Sequence, residues 1–389
     1  MIDSRNEYKN TPLGKIPSNW KIVEFKEVLE YKQPSKYLTK DVNEKSELNL
    51  IPVLTANKAF ILGYSSDANN VYEAEQPIII FDDFTTACKY VDFNFKVKSS
   101  AIKILYTRQN DNVKFLYEKL NSIKINTDDH KRRWISEFQE MAIALPPIQE
   151  QDKIAEISSK WDDCIKLNLG ILNVLIKQRN TFIANLMLKS TSSKSIKSVS
   201  QVVAKIRNGF TPKPDELYRE IGIRSHAKGI FHKEPVTGKS LGNKSVFWIE
   251  PDCFVVNIVF AWEQAIAKTT EAEVGMIASH RFPMYKPKES VLDLDYLLYF
   301  FKSAKGKNLL ELASPGGAGR NKTLGQSEFL KLKIPVPPIE EQMKIVRLLN
   351  AADKEIELQK QKIEAIKLQK KGLMQQLLTG KKRLKVNNN

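Results

Sequence analysis

Two stretches of the chain repeat apolar residues in steps of three and four. In the first, positions 154, 157, 161, 164, 168, 171, 175, 178, 182 and 185 follow these steps, with Ile154, Ile157, Trp161, Cys164, Ile171, Leu175 and Phe182 as the apolar members. In the second, positions 345, 349, 352, 356, 359, 363, 366, 370, 373 and 377 carry Ile345, Leu349, Ala352, Ile356, Ile363, Ile366, Leu373 and Leu377. A spacing that averages 3.5 residues marks the narrow seam of a coiled coil rather than the broad apolar face of a surface helix. Each stretch predicts a helix of roughly 40 residues, about 60 Å at 1.5 Å per residue. Neither has a second long helix beside it in sequence, so each is the natural partner of the other. An antiparallel pair avoids a long return crossing and is the predicted arrangement. Packing of each helix on its own globular part would instead call for one wide stripe.

Both seams are entered through the same element. Leu145-Pro-Pro-Ile-Gln-Glu-Gln-Asp-Lys-Ile154 returns 191 positions later as Val336-Pro-Pro-Ile-Glu-Glu-Gln-Met-Lys-Ile345. This is an internal duplication with an offset of about half the chain length. The double proline can neither extend a helix backwards nor sit in a central strand, so it closes the preceding domain in extended conformation. Glu150 and Glu341 then fall in the first helical turn, where negative charge suits the helix dipole.

Ahead of each element the pattern changes to short β-like runs broken by Gly, Pro and Asn: Gln76 to Asp82, Ile102 to Leu105, Met141 to Leu145, Asp252 to Phe260, Phe282 to Tyr285 and Leu332 to Val336. Short helical patterns sit at Phe25 to Tyr31, Val113 to Leu120 and Asp295 to Lys302. The two halves open alike, from Val23 and from Lys197, and differ strongly in their middles. The predicted fold class is α+β: two mixed α/β domains separated by a pair of long antiparallel coiled-coil helices, with a pseudo-two-fold internal repeat. The expected boundaries are 1–147 and 191–338 for the domains, 148–190 and 339–380 for the helices, and 381–389 for a basic tail.

Charge adds a partner class. The chain carries 61 Lys and Arg against 45 Asp and Glu, a net +16. Nine of the basic residues and one acid, Glu364, lie between Lys360 and Lys385. An excess with no structural need points to a polyanion, although a solvated helix face with a basic tail accounts for the last segment equally well. Cys88, Cys164 and Cys253 are far apart and show neither a disulfide framework nor zinc spacing, which fits a reducing compartment. The start of the chain has no apolar h-region, and no apolar run is long enough for a membrane span. A soluble, cytoplasmic protein is expected.

Several loops combine basic, amide and aromatic side chains. His130, Lys131, Arg132 and Arg133 precede the first proline element, and Gly316, Gly317, Arg320, Asn321 and Lys322 precede the second at the matching place. Arg and Lys pair with guanine or phosphate, Asn pairs with adenine, and glycines let backbone amides approach phosphate. Further candidates are Thr55, Asn57 and Lys58; Thr85, Thr86 and Lys89, after Phe84; Arg224, His226 and Lys228; Trp262; and His280 with Arg281. Each loop alone also reads as a solvated charged surface. Catalytic motifs are missing from the sequence. The four histidines form no HExxH, Thr237-Gly-Lys-Ser240 lacks the first glycine of a phosphate loop, and Gly316, Gly317 and Gly319 do not fit GxGxxG.

The order of variable domain, PPIxEQxKI, long helix, second variable domain, PPIxEQxKI and long helix resembles the specificity subunit of type I restriction–modification enzymes. The opening Leu13-Gly-Lys-Ile-Pro-Ser-Asn-Trp20 and the ending Leu377-Leu-Thr-Gly-Lys-Lys-Arg383 resemble that family's termini. One departure is the end of the first helix, Asn185-LMLKSTSSK, which lacks the LLTG ending of the second. The resemblance implies two target-recognition domains, each reading one half of an interrupted DNA site, with the helices setting the spacer and docking two modification subunits. It implies a non-catalytic chain without a cofactor or metal. S-adenosylmethionine for adenine methylation, and ATP and magnesium for restriction subunits, would reside on the partners. The competing reading from the residues is a coiled-coil adaptor with two protein-binding heads, which explains the repeat but not the charge. An autonomous nuclease or methyltransferase lacks the motifs.

Overall fold

The computed structural model describes residues 7–43, 50–56, 59–125, 131–192, 196–316 and 322–384. The chain forms two compact units, residues 1–169 with 362–389 and residues 170–361, so each unit takes one end of both long helices.

The first unit is built around the strands β1 (Lys21–Glu24), β2 (Leu29–Lys32), β3 (Ile78–Asp82), β4 (Cys88–Val91), β5 (Ile102–Thr107) and β6 (Ala142–Leu145). With them run α1 (Phe25–Val28), α2 (Val113–Ser122) and the start of α3 (Ile148–Ser192). The main sheet has the order β2-β5-β3-β4, all antiparallel, and β6 pairs with β1 beside it. The second unit repeats this plan with β7 (Ile196–Ser198), α4 (Val199–Val202), β8 (Val203–Ile206), β9 (Phe254–Val256), β10 (Ile266–Lys268), β11 (Met284–Pro287), α5 (Leu294–Lys302), β12 (Lys333–Pro335) and α6 (Ile339–Leu378). Its sheet runs β8-β11-β9-β10, and β12 pairs with β7.

Register makes the equivalence residue by residue. The row Tyr31–Leu105–Ile79–Tyr90 across the first sheet corresponds to Lys205–Tyr285–Phe254–Lys268 across the second. The openings that look alike in sequence form the same strand-and-turn: α1 and α4 each start with a reciprocal capping box, through Glu24 and Glu27 and through Ser198 and Gln201. Two expectations shift locally. The helical pattern from Phe25 stops at Val28 because Leu29 opens a strand paired to β5. The β-like run from Asp252 ends at Val256, because Asn257 accepts the Val259 N–H through its side chain and turns the chain.

The buried glutamines of the repeated element join domain to helix. Gln151 accepts the Asn112 N–H (2.9 Å) and donates to Pro146 O (3.0 Å). Gln342 accepts the Asp293 N–H (2.8 Å) and donates to Pro337 O (2.8 Å). Asn112 and Asp293 cap α2 and α5, so one side chain satisfies a helix cap and a proline carbonyl at once.

The helix ends within each unit run antiparallel. In the first, Lys370 meets Asp162 and Arg383 meets Glu150; in the second, Arg179 meets Asp353, and Ile183 joins the buried cluster that holds Ile345 and Leu349. Every seam position expected in α6 is buried or half-buried, from Ile345 and Leu349 through Ile356, Ile363 and Ile366 to Leu373 and Leu377. In α3, Ile154 is buried and Ile157 and Trp161 half-buried. Cys164, expected on the seam, is exposed while Ile165 is half-buried, and beyond Asn168 too the inward face runs one residue later than expected. Ile171 is 41% and Phe182 52% exposed, Leu175 is half-buried, and Ile183 is 4% exposed. Polar side chains take inward places there. Asn168 donates back to Cys164 O and Arg179 to Asp353, so a count of apolar residues alone misplaces the phase.

The first unit also gathers both terminal segments. Trp20 Nε1 donates to Glu150 (3.0 Å), and Arg383 holds the same carboxylate through Nε and Nη2 at 2.9 Å each. Gly380 has φ +71°, and a Cβ there would stand 2.5 Å from Pro17 Cδ, so the glycine of the LLTG ending is required by backbone and space together.

Candidate nucleic-acid interface

In each unit the loop before the proline element hangs on one turn of the main sheet. In the first, this turn joins β3 to β4. Asp82 Oδ1 accepts the N–H groups of Phe84 and Thr85, and Thr86 takes a left-handed φ of 58°. Arg133 N donates to Asp83 O (3.0 Å), and Asp83 Oδ1 accepts from Trp134 N (2.8 Å). Trp134, 1% exposed, packs against Phe25 and Phe81 and anchors the loop in the core. Arg132 then lies with its guanidinium 5.9 Å from the Phe84 ring centroid. Two motifs that are 45 or more positions apart in sequence thus form one surface, with Thr85, Lys131 and Arg132 exposed on it.

The second unit uses the equivalent atoms. Asn257 stands in the place of Asp82 and Ile258 in that of Asp83. Ile258 O accepts from Leu324 N (2.9 Å), and Ile258 N donates to Arg281 O (3.0 Å), as Asp83 N donates to Ala101 O in the first unit. The turn carries Trp262, and Lys322 lies 5.5 Å from its ring centroid. The loop 224–228 docks on the same turn, with His226 N on Glu263 O (2.7 Å), Ala227 N on Gln264 O (2.8 Å) and the Ser225 hydroxyl on Glu263. Arg224, His226, Lys228, His280 and Arg281 are exposed around it. His226, Ala227 and Gln264 all adopt left-handed φ, near 50–60°, without being glycine. Such strain persists where the surroundings over-determine it and gathers at functional surfaces.

The surface is not free of internal partners. Lys322 pairs with Glu311 at 2.8 Å and holds that carboxyl below its ordinary range. Arg224 sits over Phe231 and donates to Ile230 O. Arg133 departs from its expected role, being 3% exposed with Nη1 2.9 Å from both Glu137 oxygens, so it holds the loop and offers no face to a phosphate. Thr55 lies half-buried in a separate turn, donating to Ala59 O, and Lys89 is half-buried in β4. Gly316 is exposed at the end of its loop. Asn57, Lys58, His130, Gly317, Arg320 and Asn321 lie outside the described residues. Sequence reasoning missed the acceptors that organise the hub, Asp82, Asp83 and Asn257. Their only signal is a polar residue ending an apolar run. Cys88 and Cys253 are buried, their thiols pushed up by burial to about 12 and about 11. Among the described residues no group of His, Cys, Asp or Glu could hold a metal, and no helix is long and apolar enough to cross a membrane.

A duplicated mixed α/β domain with a basic loop on one turn, followed each time by a long helix, defines a two-headed DNA-reading class. The sequence profile of the type I restriction modification DNA specificity domain matches residues 17–177 and again residues 194–368. The chain therefore belongs to the specificity subunits of type I restriction–modification systems, which recognise DNA, assemble into those complexes and have no catalytic centre of their own. It is 29% identical over 351 residues to the EcoR124I/EcoR124II specificity subunit of Escherichia coli, covering 84% of this chain and 85% of that one. It is 24% identical to the putative MjaX specificity subunit of Methanocaldococcus jannaschii, covering 97% of each. The fold resembles the crystal structure of an S subunit from M. genitalium, with a TM-score of 0.54 at 14% identity over 95% of this chain and 99% of the other. A chain from a structure of type I complex assembly and conformational transition gives a TM-score of 0.58 at 14% identity, covering 94% and 99%.

Proposed function

We propose that residues 1–147 and 191–338 each read one half of an interrupted DNA site, while the length of α3 and α6 sets the separation between halves. The observation that supports this most is the duplicated hub. The same backbone hydrogen bonds hold a basic loop in both units, Arg132 lying on Phe84 in one and Lys322 on Trp262 in the other. The scaffold is constant and the side chains differ, which suits two different half-sites. In this reading two modification subunits dock on the helices and bring S-adenosylmethionine, and restriction subunits, where present, bring ATP and magnesium in the cytoplasm.

The test is reconstitution with the modification subunits followed by single-molecule sequencing of methylated DNA. A bipartite motif is expected, and exchanging residues 207–282 for those of a relative should change one half of it only. A continuous motif, or a change in both halves, would overturn the reading. The adaptor alternative gains nothing from the family match, which is to a DNA specificity domain.

A further inference from the structure

The second unit holds a cleft of about 530 Å³ lined by two basic residues that the loops above do not include, Lys205 and Arg207. Lys205, at the end of β8, and Arg207 just beyond it form one wall. Phe247, His280 and Gln326 line it as well. Among the described residues no acidic side chain lines the cleft. Lys205 Nζ finds a neutral partner, donating to Gln326 Oε1, and its ammonium is held below the ordinary lysine range by burial and then by the nearby Arg207 charge. Arg207 is exposed and lies 5.3 Å from the Phe247 ring centroid, which orients its planar donors. Two cations side by side without a carboxylate are unfavourable alone, and an anion between them removes the repulsion.

The position of the cleft names the anion. Its 279–282 wall is tied to the hub by Ile258 N on Arg281 O, and the chain entering Gln326 by Leu324 N on Ile258 O. The cleft therefore continues the surface that carries Trp262 and Lys322. The register puts Tyr31 in the first unit at the place of Lys205, and Gln33 two residues further on at that of Arg207. The cation pair is thus a property of the second unit.

We propose that this cleft takes a phosphodiester of the bound DNA, with Lys205 and Arg207 donating to its non-bridging oxygens and His280 lining it beside them. The proposal rests on the DNA-reading function above and adds a backbone contact specific to one half-site. Such a contact positions the duplex without reading its bases.

The experiment measures binding of the reconstituted complex to a duplex carrying its methylation motif, and to one with the second half scrambled, across a salt series. For Lys205→Met/Arg207→Met the dissociation constant should rise about tenfold or more at low salt, with the salt slope reduced by about two and the ratio between the duplexes unchanged. Arg207→Lys should restore most of the slope, and an unchanged melting temperature separates these effects from unfolding. If wild type binds with a steep slope and the double variant matches it, the site is wrong while the DNA-reading function stands. A lost ratio at constant slope would also overturn the site, in favour of base contact. If wild type itself binds neither duplex, it is the DNA-reading function that fails.

Discussion

Lys370 Nζ lies 2.7 Å from Asp162 Oδ1, and the same pairing recurs with the helices exchanged, Arg179 Nε lying 2.8 Å from Asp353 Oδ1. Asp162 and Asp353 are 191 positions apart, and so are Arg179 and Lys370, the spacing of the proline elements. Each pair also holds the domain helix above it. Lys370 reaches Glu118 of α2 at 3.1 Å, and Asp353 accepts from the Tyr299 hydroxyl of α5 at 2.7 Å. One polar junction per unit ties three helices together.

A double-mutant cycle on Asp162→Ala and Lys370→Ala should give a coupling of about 1 kcal/mol in denaturant unfolding, the pair being only part-buried. Burial raises the Asp162 carboxyl, and hydrogen bonds from Lys114 and Lys370 lower it further than that, leaving it below its ordinary value. A depressed carboxylate contributes above its unfolded pKa. The coupling should therefore hold from pH 5 to 8 and fade as pH drops below about 4. Coupling that grows on acidification would contradict the assignment.

Gln151→Leu and Gln342→Leu should each cost about 2 kcal/mol, because a helix-cap N–H and a proline carbonyl lose their buried partner. Hydrogen exchange gives the sharper readout. The Asn112 amide should lose protection in the first variant and the Asp293 amide in the second, each without change at the other. Equal loss at both amides in either variant would refute separate clasps.

Arg383→Ala strands the Glu150 carboxylate, which is 2% exposed, and should destabilise the first unit by about 3 kcal/mol. Glu150→Gln keeps a partner for Trp20 and should cost less. Limited proteolysis of residues 7–20 reads this out, and cleavage at the wild-type rate in Arg383→Ala would count against the clamp.

Arg132→Ala and Arg133→Ala should differ in kind although they are neighbours. The first should weaken DNA binding and reduce its salt slope by about one with stability unchanged. The second should lower stability through loss of the Glu137 pair. A salt-slope change in Arg133→Ala at wild-type stability would place that residue on the surface instead.

The repeat and the two helices could be read from the chain because prolines and apolar spacing are local signals, and their direction followed from the length of chain a parallel pair would need to return. The α6 seam was legible for the same reason, its inward positions being mostly apolar. The α3 seam was legible only up to Trp161: Cys164 faces outward, and further on inward places pass to polar residues such as Arg179, whose partner is distant in sequence. Contacts set by sheet register were beyond reach. Nothing in the sequence says that Phe84 meets Arg132, or that the Gln of PPIxEQ reaches the cap of α2. Arg133 and Arg132 look equivalent as letters, and only the burial of Trp134 separates them.

The junction charges carry a consequence for helix direction. Each long helix bears an acid and, seventeen residues on, a base, the same message written twice. Laid parallel in register, the two copies would set Asp162 against Asp353 and Arg179 against Lys370, like facing like. Reversed, each acid meets a base. For these four charges the complementary arrangement is the one with one copy read backwards, so the repeat that built this protein also wrote a charge palindrome that disfavours the in-register parallel pairing.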